Sequence, residues 1–190
     1  MNIIHFDSID STSKYINNNY ENLDNLTFVQ ADVQTNGKGR GDHFWESENG
    51  KNLLFSFLLK NNNLIYMSSY LSTYIPVIIC NFLEERYKVD NLAIKWPNDI
   101  YYKDSKLVGI LLQSSLPYYI SVGIGININQ DKWDKMYSVS PISLKLILNK
   151  EIKKLINLII NLILYNRCNN CYFLYVFHFL HSTLIFPSFP

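Results

Sequence analysis

One long helical stripe set between short β-type runs restricts this chain to layered folds in which helices cover a sheet. From Met67 to Leu83 the apolar residues Met67, Tyr70, Leu71, Tyr74, Ile75, Ile78, Ile79, Phe82 and Leu83 recur at steps of three and four, which aligns them on one helical face. Pro76 falls inside the stripe and predicts a kink or a helix start there, because proline lacks the amide that bonds back one turn. Residues 26–34, 51–60, 91–96, 106–115 and 118–129 are short runs rich in β-branched and aromatic side chains, bounded by turn formers. They read as strands.

Asp10 or Ser11 can cap a short helix through Tyr15 and Ile16, since a side-chain oxygen there accepts from the free amides of the first turn. A further amphipathic helix is expected over 149–166, with Ile152, Leu155, Ile156, Ile159 and Ile163 on its apolar face. The stretch "NDIYYKDSKLVG" reads as a hairpin. Strands mixed with flanking helices, without strict β-α-β alternation, predict an α+β fold on a mixed sheet. His5, on a first strand, and Cys80, on the helical stripe, read as structural residues, the cysteine as a small buried hydrophobe.

At 190 residues the chain suits one domain with a well-buried core. Seventeen basic against sixteen acidic residues, a net charge of +1, give no electrostatic basis for a general nucleic-acid or membrane-surface partner. Any positive field must be local. The odd set of cysteines, Cys80, Cys168 and Cys171, and an N-terminus "MNIIHFDSID" without a basic-then-apolar layout point to a reducing, intracellular setting. The cytoplasm is the default, with an organelle left open.

After Asn166 the character changes: residues 167–190, "RCNNCYFLYVFHFLHSTLIFPSFP", are almost all aromatic and aliphatic with no stripe set against a polar face. A membrane span needs about twenty continuous apolar residues. Arg167, Asn169 and Asn170 interrupt the candidate and His178 and His181 dilute it, so the segment reads as a divergent end from altered splicing or frame, or as an unusual core segment. Cys168 and Cys171 form a C-x-x-C with those histidines beyond, but the spacing fits no standard zinc finger. No metal ligand is assigned there.

The polar run "QTNGKGRGDHFW", Gln34 to Trp45, spends three of the chain's seven glycines beside Lys38 and Arg40. Glycines let backbone amides approach a ligand, and the two cations suit a carboxylate or phosphate. The run is neither a nucleotide-hydrolase phosphate loop nor a dinucleotide fingerprint, and a solvated turn is built from the same residues. "IKWPNDIYYKDSKLVGILL" adds a second feature: Trp96-Pro97 breaks a strand, Asn98-Asp99 turns, and Lys106 enters the next strand with Gly109 behind it. Lys95 and Lys106 thus flank a tight element, where a lone lysine would be an ordinary solvated gatekeeper.

Together, "DSTSKY", "QTNGKGRGDHFWES", "NLLFSFLL", "IKWPNDIYYKDSKLVGILLQ", "VGIGININ" and "ISLKLIL" resemble, in order and over about residues 4–165, the catalytic domain of the biotin–protein ligases. The resemblance implies a class II aminoacyl-tRNA synthetase-like fold with a largely antiparallel central sheet. It implies a two-step reaction in which biotin's carboxylate attacks the α-phosphate of ATP, with Mg²⁺, and a lysine of an acceptor then takes biotin from the adenylate. The acceptor would be the biotin-carrier domain of a carboxylase such as acetyl-CoA carboxylase.

Carried over by motif, Lys106, Arg40 and Asp99 are the catalytic candidates: the two cations for the reacting carboxylate and phosphate, Asp99 as an aid to the incoming amine. Ser11, Thr12 and Gln34 are expected to hydrogen-bond the ureido ring of biotin, in a pocket completed by Ser13, Gly37, Lys38, Gly39, Trp45 and Gly109. Lys95, Asn98 and Asn127 join Arg40 at the nucleotide, with Gly123 and Gly125 permitting close approach. Trp45 could equally be a packing anchor.

The chain also departs from the family pattern. Lys38 stands where arginine is common, offering a point charge rather than a fork, and Gly41-Asp42-His43 replaces a second arginine or asparagine, which weakens the local positive field. No helix-turn-helix is expected before Ile3, which removes a repressor role. Residues 1–166 read as the catalytic domain, and 167–190 do not resemble the family's small C-terminal β-barrel. Lipoate–protein ligase is the enzymatic alternative, and a truncated, non-catalytic binding form is the other. Oligomeric state is left open.

Overall fold

A computed structural model describes residues 2–41, 43–60, 64–96, 98–135 and 137–153, with the side chains of 64–69 excepted. Strands β1 (Asn2–Ile9), β2 (Thr27–Gln34), β5 (Leu53–Leu59), β6 (Leu92–Lys95), β7 (Asp99–Tyr102), β8 (Ser105–Ser115) and β9 (Tyr119–Ile126) form one sheet in the order β1-β2-β5-β9-β8-β7-β6. Only β1 and β2 run parallel, joined through helix α1 (Thr12–Asn19); the other neighbours are antiparallel. Two-residue strands β3 (Gly37–Lys38) and β4 (Phe44–Trp45) pair as a small separate hairpin. The α+β fold with a mixed, largely antiparallel sheet is therefore the one expected, and each strand-like run lies on a strand.

Helix α2 (Leu64–Tyr87) covers one face of the sheet. Leu71, Ile75, Ile79 and Leu83 pack there against Phe28, Phe55, Phe57, Ile124 and Ile126, all nearly inaccessible. The rings of Phe28 and Phe57 stack at 5.4 Å between centroids. Pro76 neither starts nor ends the helix, contrary to one of the two expectations; it sits within it. Buried apolar side chains lie on both sides of the proline, so packing against the sheet carries the helix past the missing amide. Cys80, on the same face, is 6% exposed, and burial pushes its thiol up to about 12.

The opposite face of the sheet is shared. At one end Ile16 of α1 packs with Val29, Leu58 and Tyr119 in a smaller cluster; the remainder lies under the site described below. Strand β5 is buried on both faces along its whole length, as a central strand should be. Strand β1 is the opposite case, mostly exposed at the sheet edge. His5 lies on its outer surface, 3.4 Å from the Asp32 carboxylate, so it is a surface residue and not part of the core.

Helix α3 (Leu144–Leu148) corrects the expectation of a helix from 149 onward. Asn149, the expected start, is the stop, in the left-handed region at φ 53° as helix ends commonly are. Residues 150–153 are not helical. The Asn129 side chain holds the backbone of Ile152 from both sides, donating to its carbonyl at 2.7 Å and accepting from its amide at 2.9 Å. That clamp replaces helical bonding there. The remainder of the expected helix, and the tail 167–190 with Cys168, Cys171, His178 and His181, lie outside the described residues. Among the described residues no helix is long and apolar enough to cross a membrane.

Ser143 caps α3, its buried hydroxyl accepting from the Leu146 amide. Ser143→Ala is expected to cost about 1 kcal/mol, read as a lowered midpoint in urea unfolding.

Candidate active site

Side-chain alternation along β9 sends Ile120, Val122, Ile124 and Ile126 into the α2 core, so Tyr119, Ser121, Gly123 and Gly125 face the other way. Gly125 pairs with Gly109 on β8 and with Leu54 on β5; Gly123 pairs with Ser56. The result is a floor with few side chains in the middle of the sheet. Over it opens a cleft of about 320 Å³, walled by α1, the β3–β4 hairpin and the segment after β9.

The floor is partly occupied by protein. A methyl group on Gly109 would come within 2.6 Å of the Trp45 ring, and one on Gly125 within 2.5 Å. The close approach that these glycines allow is thus made by the Trp45 indole. On the rim of that ring the Lys106 ammonium lies 5.7 Å from the centroid, within the range of a cation–π contact.

Lys106 also forms an ion pair in the cleft, 2.7 Å from Asp99 Oδ2, with both side chains largely withdrawn from water. The β7–β8 hairpin sets this pair: Asp99 opens β7 opposite Gly109, and Lys106 lies at the start of β8. Backbone bonds to the segment after β9 fix the lysine further, its amide donating to Ser140 and its carbonyl accepting from Ile142. Asn127, buried at the end of β9, donates to the same carbonyl. Asn98 is buried against β8 and donates to the Ile110 carbonyl. The Oδ1 atoms of Asn98 and Asn127 have no hydrogen-bond partner among the described residues.

At the other end of the cleft, the start of α1 presents a polar cluster. Gln34 Oε1 accepts from the Thr12 amide at 2.7 Å and from its hydroxyl at 3.1 Å, while the Thr12 and Ser56 hydroxyls lie 2.8 Å apart. Ser56 is wholly inaccessible in an otherwise apolar strand. Such hydroxyls survive in a core only when bonded, and here they converge on a cleft wall. Lys95 stacks over the Tyr101 ring at 4.9 Å. Lys38, at the end of β3, and Arg40, in the loop after it, are exposed, and the loop is closed by a bond from the Gly39 amide to the His43 carbonyl and another from the His43 amide to the Arg40 carbonyl. The loop is therefore a tight hairpin turn, with Gly41 at φ +58° where an L side chain would be strained.

Residues 5–127 match the model of the biotin/lipoate A/B protein ligase family. The chain belongs to this family. Among characterised family relatives, the bifunctional ligase/repressor BirA of Bacillus subtilis is 33% identical over 139 residues, which is 70% of this chain and 42% of that protein. The human biotin–protein ligase is 36% identical over 110 residues, 53% of this chain and 15% of that one. A solved biotin protein ligase from Aquifex aeolicus, in complex with biotin and ATP, superposes with a TM-score of 0.73 at 31% identity, covering 84% of this chain and 66% of that one. The chain thus spans less than half the length of these two ligases. The fold is the class II aminoacyl-tRNA synthetase-like α+β fold of the biotin protein ligases.

Most of the residues singled out by the family motifs come together around this one cleft. Thr12, Ser13 and Gln34 line one end; Lys38, Gly39, Arg40 and Trp45 line one wall; Lys95, Asn98, Asp99, Lys106, Gly109 and Asn127 line the other end. Two do not reach it. Ser11 is buried at the N-terminal end of α1, its hydroxyl capping the helix by accepting from the Lys14 amide and touching Ser13. Gly37 faces the Trp45 backbone, where a methyl group would come within 2.5 Å of the carbonyl oxygen, so it serves the hairpin pairing. Ser56, Trp133 and Tyr137 also line the cleft and were not foreseen. A lone serine amid "NLLFSFLL" was the available signal for Ser56; no motif marked the other two.

Proposed function

We propose that this chain is a biotin–protein ligase, which activates biotin with ATP to biotinyl-5′-adenylate and transfers biotin to a lysine of a carboxylase's biotin-carrier domain. One observation carries the reading: a neutral hydrogen-bonding cluster (Thr12, Gln34, Ser56) and a cationic end (Lys106 paired with Asp99) face the same cleft, with Lys38 and Arg40 on its wall. The first suits a ureido ring, which needs donors and acceptors but no charge; the second suits a carboxylate meeting a triphosphate.

In the first step a biotin carboxylate oxygen attacks the α-phosphorus and pyrophosphate leaves. The two reactants repel, so fixed cations must hold them in line. Lys106 is prepositioned for this by Asp99 and by its backbone bonds, and Arg40 on the hairpin wall adds charge from the opposite side. In the second step the acceptor amine attacks the acyl carbon and AMP leaves. The Asp99 carboxylate, once Lys106 has turned to the phosphate, accepts a hydrogen bond from that amine. Asp99 and the amide oxygens of Asn98 and Asn127 are hard oxygen donors of the kind Mg²⁺ takes, and the ion would supply further charge to neutralise the triphosphate. Three cysteines, an odd number, suit a reducing intracellular location, with the cytoplasm as our assignment.

Biotin-dependent ATP–pyrophosphate exchange on the full chain tests the reading, with lipoate as a parallel substrate. Exchange with biotin alone is expected. Lipoate-driven exchange would move the activity to lipoate ligation, and silence from a folded chain would leave a non-catalytic binding form.

A further inference from the structure

We propose that Glu46 is a positioning residue that latches the β3–β4 hairpin to the segment after β9 and so holds the Trp45 wall in place. Residues alternate sides through the end of β4. Trp45 turns inward onto Gly109 and Gly125, while Phe44 and Glu46 engage Asp134, Lys135 and Tyr137. Both oxygens of the Glu46 carboxylate are used: Oε1 accepts from the Asp134 amide at 3.0 Å and Oε2 from the Tyr137 hydroxyl at 2.6 Å. Beside them the Lys135 ammonium lies 3.5 Å from the centre of the Phe44 ring. Three contacts thus join two chain segments that are far apart in sequence and face each other across the mouth of the cleft.

Trp133, Tyr137, Ser138 and Val139 line the cleft from one of those segments, and Phe44, Trp45 and Glu46 from the other. A carboxylate that accepts two hydrogen bonds is a stronger tie than a neutral one. Burial first, and the bond to Glu46 second, push the Tyr137 hydroxyl above its ordinary range, so it stays a donor throughout neutral pH. The consequence for ligand is specific. Trp45 makes no side-chain hydrogen bond, its indole Nε1 being buried without a partner among the described residues. Its seat on Gly109 and Gly125 depends on the course of β4, and the residue after it ties that strand to the segment after β9. The latch acts on ligand retention, and its own bonds reach neither Lys106 nor Asp99.

The test begins on the ligand-free full chain, so that it stands whether or not the ligase reading does. Trypsin cleavage after Lys38 and Arg40, followed by mass spectrometry, reports opening of the hairpin. Glu46→Ala is expected to raise that rate about tenfold, the loss of a charge-assisted hydrogen-bond pair. Tyr137→Phe should raise it less, and the double variant should match Glu46→Ala alone. Glu46→Gln, which keeps an acceptor for the Asp134 amide, should restore most of the protection. With biotin and ATP, Glu46→Ala should raise KM for biotin about tenfold with kcat within about twofold. If Glu46→Ala does not fold, Tyr137→Phe, which removes a single oxygen, answers alone. Wild-type cleavage in the folded variants, additive effects in the double variant, or a fall in kcat at unchanged KM would each overturn the proposal. Absence of exchange in the wild-type chain would instead remove the ligase reading and leave the proteolysis result to decide the latch.

Discussion

Lys106→Ala is expected to lower biotin-dependent pyrophosphate exchange by about a thousandfold in a chain that still folds, at a cost of about 1–3 kcal/mol in unfolding free energy for the unpaired Asp99 carboxylate. The size follows from what the side chain touches. Its ammonium sits 2.7 Å from Asp99 Oδ2, in the part of the cleft where the proposed reaction gathers a carboxylate and a triphosphate. Removing the cation takes away positive charge and also leaves the Asp99 carboxylate, 16% exposed in its side chain, unpaired beside incoming anions. Both effects act in the same direction. Asp99→Asn on top of Lys106→Ala should recover part of the lost affinity for ATP, because it removes the uncompensated charge, but not the rate. Wild-type-like exchange in folded Lys106→Ala would refute the assignment.

Gly125→Ala should destabilise the protein by about 2 kcal/mol and weaken biotin binding at least about tenfold. The added methyl would lie 2.5, 2.8 and 2.9 Å from three atoms of the Trp45 indole. A ring at those distances must shift, and moving off the sheet takes it into the space proposed for biotin. The decisive comparison is a double-mutant cycle measured by urea unfolding and by calorimetry with biotin. In a Trp45→Ala background, Gly125→Ala should be nearly neutral. An undiminished cost there would show that the indole is not the cause.

The polar contacts that make the site were legible in part. "QTNGKGRGDHFW" and "KWPNDIYYKDSK" carry glycines and cations whose chemistry can be read from residue type, and the ligase motifs mark Lys106, Asp99 and Gln34, which the structure brings to one cleft. The role of the sheet glycines could not be read that way. Gly109 and Gly125 are sixteen residues apart on neighbouring strands and face each other by register, and the ring that fills their space comes from a third segment. Ser11 illustrates the converse: the motif placed it at the ligand, but its hydroxyl caps α1 and the next residue, Thr12, presents its hydroxyl to Gln34 and Ser56. Glu46 and Tyr137, ninety-one positions apart, had no local pattern at all.

By itself the sequence determined the strand and helix types, the α+β class on a mixed sheet, the α2 face and the charged residue types of the two polar motifs, because periodicity, turn residues and side-chain type are local properties of the chain; the largely antiparallel order followed only from the resemblance to the ligase family. It did not determine where the last described helix ends: the 149–166 periodicity was overridden near its start by Asn129, which binds Ile152 from another segment. Nor did it decide that Pro76 would lie inside a continuous helix, which depends on the sheet packed beneath it. The shape of the cleft, the seat of Trp45 on two glycines and the tie from Glu46 to Tyr137 belong to the tertiary structure alone. They arise from contacts between segments distant in sequence, and no local propensity encodes such contacts.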